Sequence, residues 1–386
     1  MIKKCLLLVS LLSVVSLCSC QQKKKSYTPG DNLTLTSIEM IDEYGDSTLI
    51  QFHDYDILVD SGSEKDANHV NSVLNAKVTD KTIDLLVVTH PHGDHIGGIL
   101  NNALQGFKVN KIVDYGYTYD TNGNDKIDNS AYVQQYVNKK GALVTAGATY
   151  RGVKEELKDN EVLTIDKDND LSIRWLKNDY YYGQSEVFPN SNAPTENPNT
   201  TSVSFVLEYK YWNIIMCGDA DSSFTEASIV KNHKDLFKDT KKRVLLKGTH
   251  HCSSSSMGNS FLDWANPEMI FTSSAMVDSI CAPNEVALGS AEGQLNHPNK
   301  STVRRIKQKT TNFYWNGING DLTFVTDGVN DMSVSGVGRT KNYLKKGTAD
   351  VVDASTEKNV KFFDKTKESK WLRWHSYSTD LCWNIT

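Results

Sequence analysis

Thr89-His-Pro-His-Gly-Asp-His95 is the segment of this chain that points to a particular architecture and chemistry. It follows the apolar run Ile83 to Val88, which is typical of a buried strand. Four metal-binding side chains lie within six positions: His90, His92, Asp94 and His95. Imidazole nitrogens combined with a carboxylate oxygen suit zinc, manganese or iron. The segment therefore predicts a metal site directly after a strand.

Further candidate ligands lie where other apolar strands are predicted to end. Asp219 follows the predicted strand Asn213 to Cys217, where a carboxylate could bind metal or cap a helix. His250 and His251 follow the predicted strand Val244 to Leu246. Alternation of side chains is unreliable at the end of a strand, so the sequence leaves open which of the two histidines binds metal.

The pattern His-x-His-x-Asp-His after a strand resembles the signature of the metallo-β-lactamase superfamily, a group of mostly dinuclear metal hydrolases. The resemblance implies an α/β fold, namely a four-layer αββα sandwich with the metal site at one edge of its two sheets. It also implies two divalent metal ions, zinc in the first place with manganese or iron as alternatives, bridged by Asp219. Asp60, which ends the predicted strand Asp56 to Asp60, would support the ligand loop. The implied metal ligands are His90, His92, Asp94, His95, Asp219 and His250.

Three residues are candidates for the catalytic steps: Asp94, His251 and His297. Two cations bridged by Asp219 would lower the pKa of a shared water, giving a metal-bridging hydroxide, and would hold the group under attack. Asp94 would orient this nucleophile, and His251 or His297 would stabilise developing charge or protonate the leaving group. His297 stands in the turn Asn296-His-Pro298, where a lone histidine could equally be structural.

One departure from the commonest superfamily pattern is informative, because no histidine lies between His95 and Asp219. The lactamase and glyoxalase branches take a third imidazole for the first metal from that interval. Its absence resembles the lactamase-like domain of competence DNA-uptake (ComEC-type) proteins, and the similarity extends over residues 33 to 330. Three short motifs add to it: Gly218-Asp-Ala220, Leu246-Lys-Gly-Thr-His-His251 and Asn296-His-Pro298. Two positions differ, since Cys252 replaces the usual glycine and Glu43-Tyr-Gly-Asp46 replaces Gly-Gln-Gly-Asp.

Residues 1–20 resemble a bacterial lipoprotein signal peptide. A lysine pair precedes the apolar run Leu6 to Leu17, which is too short to span a bilayer. Leu17-Cys-Ser-Cys20 resembles a lipobox and implies a lipid on Cys20, followed by a polar tether over residues 21–31. The protein is then exported and lipid-anchored to a bacterial membrane, in the periplasm or at the cell surface. A plain signal peptide or a retained signal anchor is the alternative.

The hydrolase domain is predicted to span residues 32–338, and residues 339–386 form a Trp-containing C-terminal extension without an assigned role. Four cysteines follow Cys20, and disulfides between them are permitted in an exported protein. The formal net charge of −5 argues against stable nucleic-acid complexes, which need a dense basic surface. The sequence makes no prediction of oligomeric state.

The leading functional hypothesis is a membrane-tethered dinuclear hydrolase of small or polymeric phosphoesters, including nucleic acids. A hydrolase of lactones, lactams or thioesters is one alternative. A non-catalytic surface binding protein on a lactamase fold is the other.

Overall fold

The protein is described from a computed structural model, which covers residues 26–41, 44–117, 131–154, 160–179, 198–238, 241–275, 297–338, 340, 343–344 and 351–352. The predicted signal peptide, most of the predicted tether and nearly all of the predicted C-terminal extension lie outside the described residues. Cys281, Cys382, Glu43 and Asn296 lie outside them as well. Among the described residues, no helix combines the length and apolar character needed to cross a membrane.

The described strands, in chain order, are β1 (Leu33–Ser37), β2 (Thr48–Phe52), β3 (Tyr55–Val59), β4 (Thr82–Ile83), β5 (Leu85–Val87), β6 (Lys108–Val109), β7 (Lys111–Asp114), β8 (Thr149–Gly152), β9 (Val162–Asp166), β10 (Leu171–Trp175), β11 (Phe205–Tyr209), β12 (Trp212–Met216), β13 (Arg243–Lys247), β14 (Met269–Thr272), β15 (Phe313–Trp315), β16 (Leu322–Thr326), β17 (Ser333–Gly336), β18 (Tyr343–Leu344) and β19 (Val351–Val352). The α-helices are α1 (Ala67–Lys77), α2 (Gly93–Leu100), α3 (Ala131–Thr145), α4 (Thr225–Asn232), α5 (Asn259–Ala265), α6 (Lys300–Lys309) and α7 (Asn316–Asn319). A short 3-10 helix covers Pro198–Thr201, and Thr249–Cys252 forms a turn with non-helical backbone angles.

Two large mixed sheets contain most of these strands. The first has the order β17-β16-β1-β2-β3-β5-β7-β8, and the second has the order β15-β14-β13-β12-β11-β10-β9. In each sheet an antiparallel half continues into a parallel half, which begins at β3 in the first sheet and at β12 in the second. Parallel neighbours require crossover connections. The helices α1 to α6 provide them in chain order.

Alternating side chains bury both faces of the second sheet. Leu207 and Ile214 belong to the core that the two sheets share, whereas their neighbours Val206 and Ile215 pack in a second core with the helices. Because successive strand residues point to opposite faces, one apolar strand can serve both cores. The α/β fold and the predicted αββα order of layers are confirmed.

The strand predicted over Ile83 to Val88 is divided into β4 and β5. Asp84 interrupts the apolar run, and its carboxylate accepts hydrogen bonds from Asp56 N and Asn110 Nδ2. The strand β4 pairs with β6, and β5 pairs with β3 and β7. A single polar residue is therefore enough to end the first strand, because its side chain bonds to neighbouring segments instead of packing in the core.

Candidate metal centre

The histidine segment lies between the end of β5 and the start of α2. Asp94 and His95 occupy the first turn of α2, where a carboxylate is favoured by the partial positive charge of the helix N-terminus. The helix can approach the 61–64 loop closely because it contains two glycines. A Cβ on Gly97 would lie 2.4 Å from Glu64 N, and one on Gly98 would lie 2.0 Å from Ser61 O. These glycines therefore fix the position of Asp94 and His95 against the end of β3.

Carboxyl ends of parallel strands bring the remaining candidates to the same edge. Asp60 follows β3, Asp219 follows β12, and the two adjacent histidines follow β13. Each sheet ends its parallel strands on one side, so residues distant in sequence converge there. The structure brings all eight predicted site residues together: His90, His92, Asp94, His95, Asp219, His250, His251 and His297.

The Asp219 carboxylate is the centre of this cluster. Its Oδ1 lies 3.2 Å from His95 Nε2. Its Oδ2 lies within ion-pair distance of three further Nε2 atoms: 3.8 Å from His90, 3.7 Å from His250 and 3.5 Å from His251. Two ligands bound at roughly 2.1 Å to one tetrahedral zinc ion are roughly 3.4 Å apart. The observed separations therefore fit side chains that could bind metal together with Asp219.

Two buried atoms in the cluster support the same conclusion. Among the described residues, neither His95 Nε2 nor Asp219 Oδ1 has a hydrogen-bond partner of good geometry. Buried polar atoms are normally satisfied, because leaving one without a partner costs about 1–3 kcal/mol. A cation between these atoms would satisfy both, so the donor set fits a divalent metal.

Asp60 fixes the orientation of His95. Its Oδ1 accepts a hydrogen bond from Thr89 N at 2.7 Å, and its Oδ2 accepts one from Thr89 Oγ1 at 2.6 Å. His95 Nδ1 lies 2.8 Å from the same Oδ2 and donates to it. With Nδ1 protonated, Nε2 is left as the free nitrogen that faces Asp219. Asp60 thus occupies the position expected of a residue that supports a ligand.

The two adjacent histidines lie in a left-handed turn. His250, His251 and Cys252 have φ angles of 46°, 49° and 61°. His251 Nδ1 donates to Ser273 O at 2.9 Å, and His251 Nε2 lies 3.0 Å from Asp94 Oδ2. The turn directs the Nε2 atoms of both histidines toward Asp219. Strand alternation, which places neighbouring side chains on opposite faces, therefore could not show which histidine faces the site.

Asp46 and Lys247 also belong to the site; both lie in motifs that carry the family resemblance, but the sequence assigned neither of them a role. Asp46 offers an oxygen within 4.8 Å of ligand atoms of His95, Asp219 and His251, but it forms a buried ion pair with Lys247 Nζ. Asp46 Oδ2 lies 3.7 Å from His251 Nδ1, the nitrogen that faces away from Asp219. Because the ammonium disfavours a second cation at Asp46, we assign this carboxylate to supporting His251. A lysine at the end of the apolar strand β13 was a signal for a buried cation, although it does not identify the carboxylate that pairs with it.

The electrostatics of the cluster favour positive charge at its centre. Burial lowers the pKa of His90 and His92, so both are neutral, the form that binds metal. Burial also opposes charge on His251, but the carboxylates of Asp219 and Asp46 raise its pKa to about 10. The carboxylates therefore stabilise either a proton or a metal cation at this position.

A cavity of about 820 Å³ opens beside the cluster and is lined by His92, Asp94, Asp219, His250 and His297. His297 is buried, and its ring centroid lies 5.4 Å from that of His250 and 5.9 Å from that of His251. Burial, with the neighbouring His251 and His250, lowers the pKa of His297 to about 3. His297 is therefore a neutral imidazole at the wall of the cavity, where it can donate a hydrogen bond.

Comparison with protein families identifies a single domain type. A family model described as the metallo-beta-lactamase superfamily matches residues 40–267, more than half of the 386-residue chain. The matched region includes the histidine segment, Asp219 and the adjacent histidines, and it ends before His297. No curated protein matches the sequence significantly.

Several solved structures are similar to this chain at low identity. The metallo-beta-lactamase fold protein YhfI from Bacillus subtilis is 13% identical, with coverage of 73% of this chain and 95% of that chain and a TM-score of 0.40. A subclass B3 metallo-beta-lactamase, MEM-A1, from a soil metagenome library is 13% identical, with 57% and 77% coverage and a TM-score of 0.33. A diphosphatase from the PhnP family is 10% identical, with 62% and 85% coverage and a TM-score of 0.32. These similarities concern the fold, and the lactamase and diphosphatase activities are those of the other proteins.

Proposed function

We propose that this chain, which belongs to the metallo-beta-lactamase superfamily, is a dinuclear metal-dependent hydrolase of phosphoesters. The observation that carries the proposal is the convergence of four imidazole Nε2 atoms on the Asp219 carboxylate at 3.2 to 3.8 Å. A phosphoester is favoured over a lactam because the interval between His95 and Asp219 lacks the third imidazole of the lactamase branch. The sequence resemblance to ComEC-type domains supports the same substrate class.

The cluster divides into two sets of side chains that would each hold one ion. Asp94, His95 and His251 form one set, since Asp94 Oδ2 lies 3.5 Å from His95 Nε2 and 3.0 Å from His251 Nε2. The second set consists of His90 and His92, with His250 in place of the missing imidazole, and Asp219 belongs to both. Zinc suits these ligands best, with manganese or iron as alternatives. When bound, two such ions lower the pKa of a water molecule and polarise a substrate oxygen.

The chain's own side chains would then complete the reaction. Asp94, which lines the cavity, would orient the attacking water through its carboxylate. His297 would donate a hydrogen bond to a substrate or leaving-group oxygen as charge develops there. In this assignment His251 would be a ligand rather than a proton donor, because its Nδ1 donates to Ser273 O and leaves Nε2, which faces Asp94 and Asp219, to bind metal.

The cellular setting of the proposal comes from the N-terminal segment. Residues 1–20 with the Leu17-Cys-Ser-Cys20 lipobox support an exported protein that is anchored to a bacterial membrane through lipidated Cys20. A phosphoester substrate would then meet the enzyme in the periplasm or at the cell surface. The formal net charge of −5 supports transient contact with such substrates rather than a stable nucleic-acid complex.

The test is a hydrolysis screen with the purified full-length chain, loaded with zinc or manganese and compared with Asp219→Ala. A phosphodiester such as bis(p-nitrophenyl) phosphate should be cleaved only by the metal-loaded protein, and Asp219→Ala should reduce cleavage to background. Asp114→Asn is the matched control, because Asp114 is a buried carboxylate that bonds to Tyr136, Lys140 and Tyr150 instead of to the cluster. Cleavage of nitrocefin or a lactone in place of phosphodiesters would favour the alternative hydrolase. Well under one metal ion per chain would favour a binding protein.

A further inference from the structure

The turn that carries His250 and His251 belongs to a longer segment, residues 249–258, which we term the histidine loop. Two charged side chains from the helix layer hold this loop, Glu226 from α4 and Arg305 from α6. Neither belongs to the Asp219 cluster or lines the cavity.

Glu226 is a buried carboxylate that accepts three hydrogen bonds from the loop. Its side chain is 1% exposed. Glu226 Oε1 accepts from Thr249 Oγ1 at 2.5 Å and from Met257 N at 2.7 Å, and Oε2 accepts from Gly258 N at 2.8 Å. In the described part of the chain, no lysine, arginine or histidine forms an ion pair with it. A buried carboxylate without a cationic partner is unfavourable, so these three donors are its main compensation.

Arg305 donates hydrogen bonds to backbone carbonyl oxygens of the loop. Arg305 Nε donates to Met257 O at 3.0 Å, and Nη2 donates to Ser256 O at 2.8 Å and to Ser254 O at 3.3 Å. Glu226 therefore bonds to hydrogen-bond donors of the loop, and Arg305 bonds to its acceptors. Met257 is bound by both, through its N–H and its carbonyl group.

The loop needs such support because of its backbone conformation. Three successive non-glycine residues, His250, His251 and Cys252, have backbone angles in the left-handed region, with φ of 46°, 49° and 61°. This region is unfavourable for residues other than glycine and persists only where the surroundings hold it. The same turn directs both histidines toward Asp219, so relaxation of the backbone would move candidate ligands out of place.

We infer that Glu226 and Arg305 are positioning residues, which clamp the histidine loop in the strained conformation that presents His250 and His251 to metal. The inference rests on the proposed metal-binding role of these histidines. The clamp acts through the loop backbone and Thr249 and does not touch substrate. It is therefore expected to govern metal affinity, in the manner of the outer residues that orient metal ligands.

The test measures zinc affinity by competition with a chromophoric chelator, at pH 8, on the full-length chain. Glu226→Gln places an amide N–H₂ against N–H donors and should weaken zinc binding by about 10- to 100-fold. Thr249→Val removes one donor without changing shape, and roughly tenfold weaker binding is expected. Thr249→Ser keeps the hydroxyl and should restore wild-type affinity. Arg305→Ala tests the other side of the clamp and should also weaken binding.

A purely structural role is separated by the control Asp114→Asn, which should lower the melting temperature without changing zinc affinity. If Glu226→Gln does not fold, the Thr249→Val and Thr249→Ser pair still decides the question. Wild-type zinc affinity in Thr249→Val and Arg305→Ala would overturn the clamp and leave the proposed function intact. A wild-type chain that binds no zinc would instead overturn the proposed function.

Discussion

Replacing Asp60 by asparagine should change which nitrogen of His95 is protonated. The Asp60 carboxylate accepts three hydrogen bonds, two from Thr89 and one from His95 Nδ1. An asparagine side chain has one oxygen, so its N–H₂ group must replace one of the acceptors. If the oxygen keeps the bond from Thr89 N, the N–H₂ group faces His95 Nδ1. That nitrogen must then accept, and the ring proton moves to Nε2.

The magnitude follows from the position of Nε2. It lies 3.2 Å from Asp219 Oδ1 and is the nitrogen that would bind metal, which it can do only without a proton. Changing a residue that orients a metal ligand typically weakens metal affinity by about 10- to 100-fold. This corresponds to about 1.4 to 2.8 kcal/mol of binding free energy, at 1.4 kcal/mol for each factor of ten. The reverse amide orientation avoids the proton shift but leaves the buried Thr89 N–H facing a donor, which lowers folding stability instead.

The assay is zinc competition titration of the wild type and Asp60→Asn, with thermal unfolding of both metal-free proteins. Asp56→Asn is the matched control, because Asp56 lies on β3, the strand that Asp60 follows, and its buried carboxylate bonds to Gln51 Nε2 instead of to the site. The control should keep wild-type zinc affinity. Equal zinc affinity and equal melting temperature in Asp60→Asn and the wild type would refute the reasoning.

Two further predictions concern buried titratable groups. Burial raises the pKa of Cys217 and Cys252 to about 12, so neither thiol should react with iodoacetamide in the folded protein at pH 7.5. Peptide mass spectrometry with and without guanidinium tests this, and rapid labelling of the folded chain would contradict it. Burial also raises the pKa of Glu226 from 4.5 to about 7, so the folded state keeps this proton to higher pH than the unfolded state. Its contribution to stability is complete below pH 4.5 and is lost as pH rises through 7, a change of about 3 kcal/mol at 1.36 kcal/mol per pKa unit. Urea unfolding of the metal-free wild type and Glu226→Gln at pH 5 and pH 8 should show this loss as the difference between the two proteins, because the histidines of the cluster also change stability with pH. The same pH dependence in both proteins would speak against it.

The convergence of the site was predictable because strand ends carry its residues. His90, Asp219 and the adjacent histidines each follow an apolar run, and parallel strands place their carboxyl ends on one side of a sheet. The αββα layering followed from the resemblance carried by the histidine segment, and the family match over residues 40–267 agrees with it. The pattern of residue types, with the resemblance that it carries, thus predicted the fold and the set of candidate ligands.

Other features depended on contacts between segments far apart in the chain. The pairing of Lys247 with Asp46 joins the end of β13 to the loop before β2, and no local pattern identifies Asp46 as the buried partner of this lysine. The hydrogen bonds from Glu226 and Arg305 to the histidine loop could not be predicted from the sequence either, since both residues have the pattern of ordinary polar helix positions. Each required the fold to bring the partner close.

The pair His250 and His251 shows what the sequence determines and what only the tertiary structure determines. Two imidazoles after an apolar strand indicate ligand chemistry, because few other residue types bind zinc. Their directions are set by a left-handed turn, with φ angles of 46° and 49°, that strand alternation does not describe. Residue chemistry is a local property, and the sequence states it directly. The direction of a side chain at a strand end depends on a strained backbone held by distant residues, so only the tertiary structure decides it.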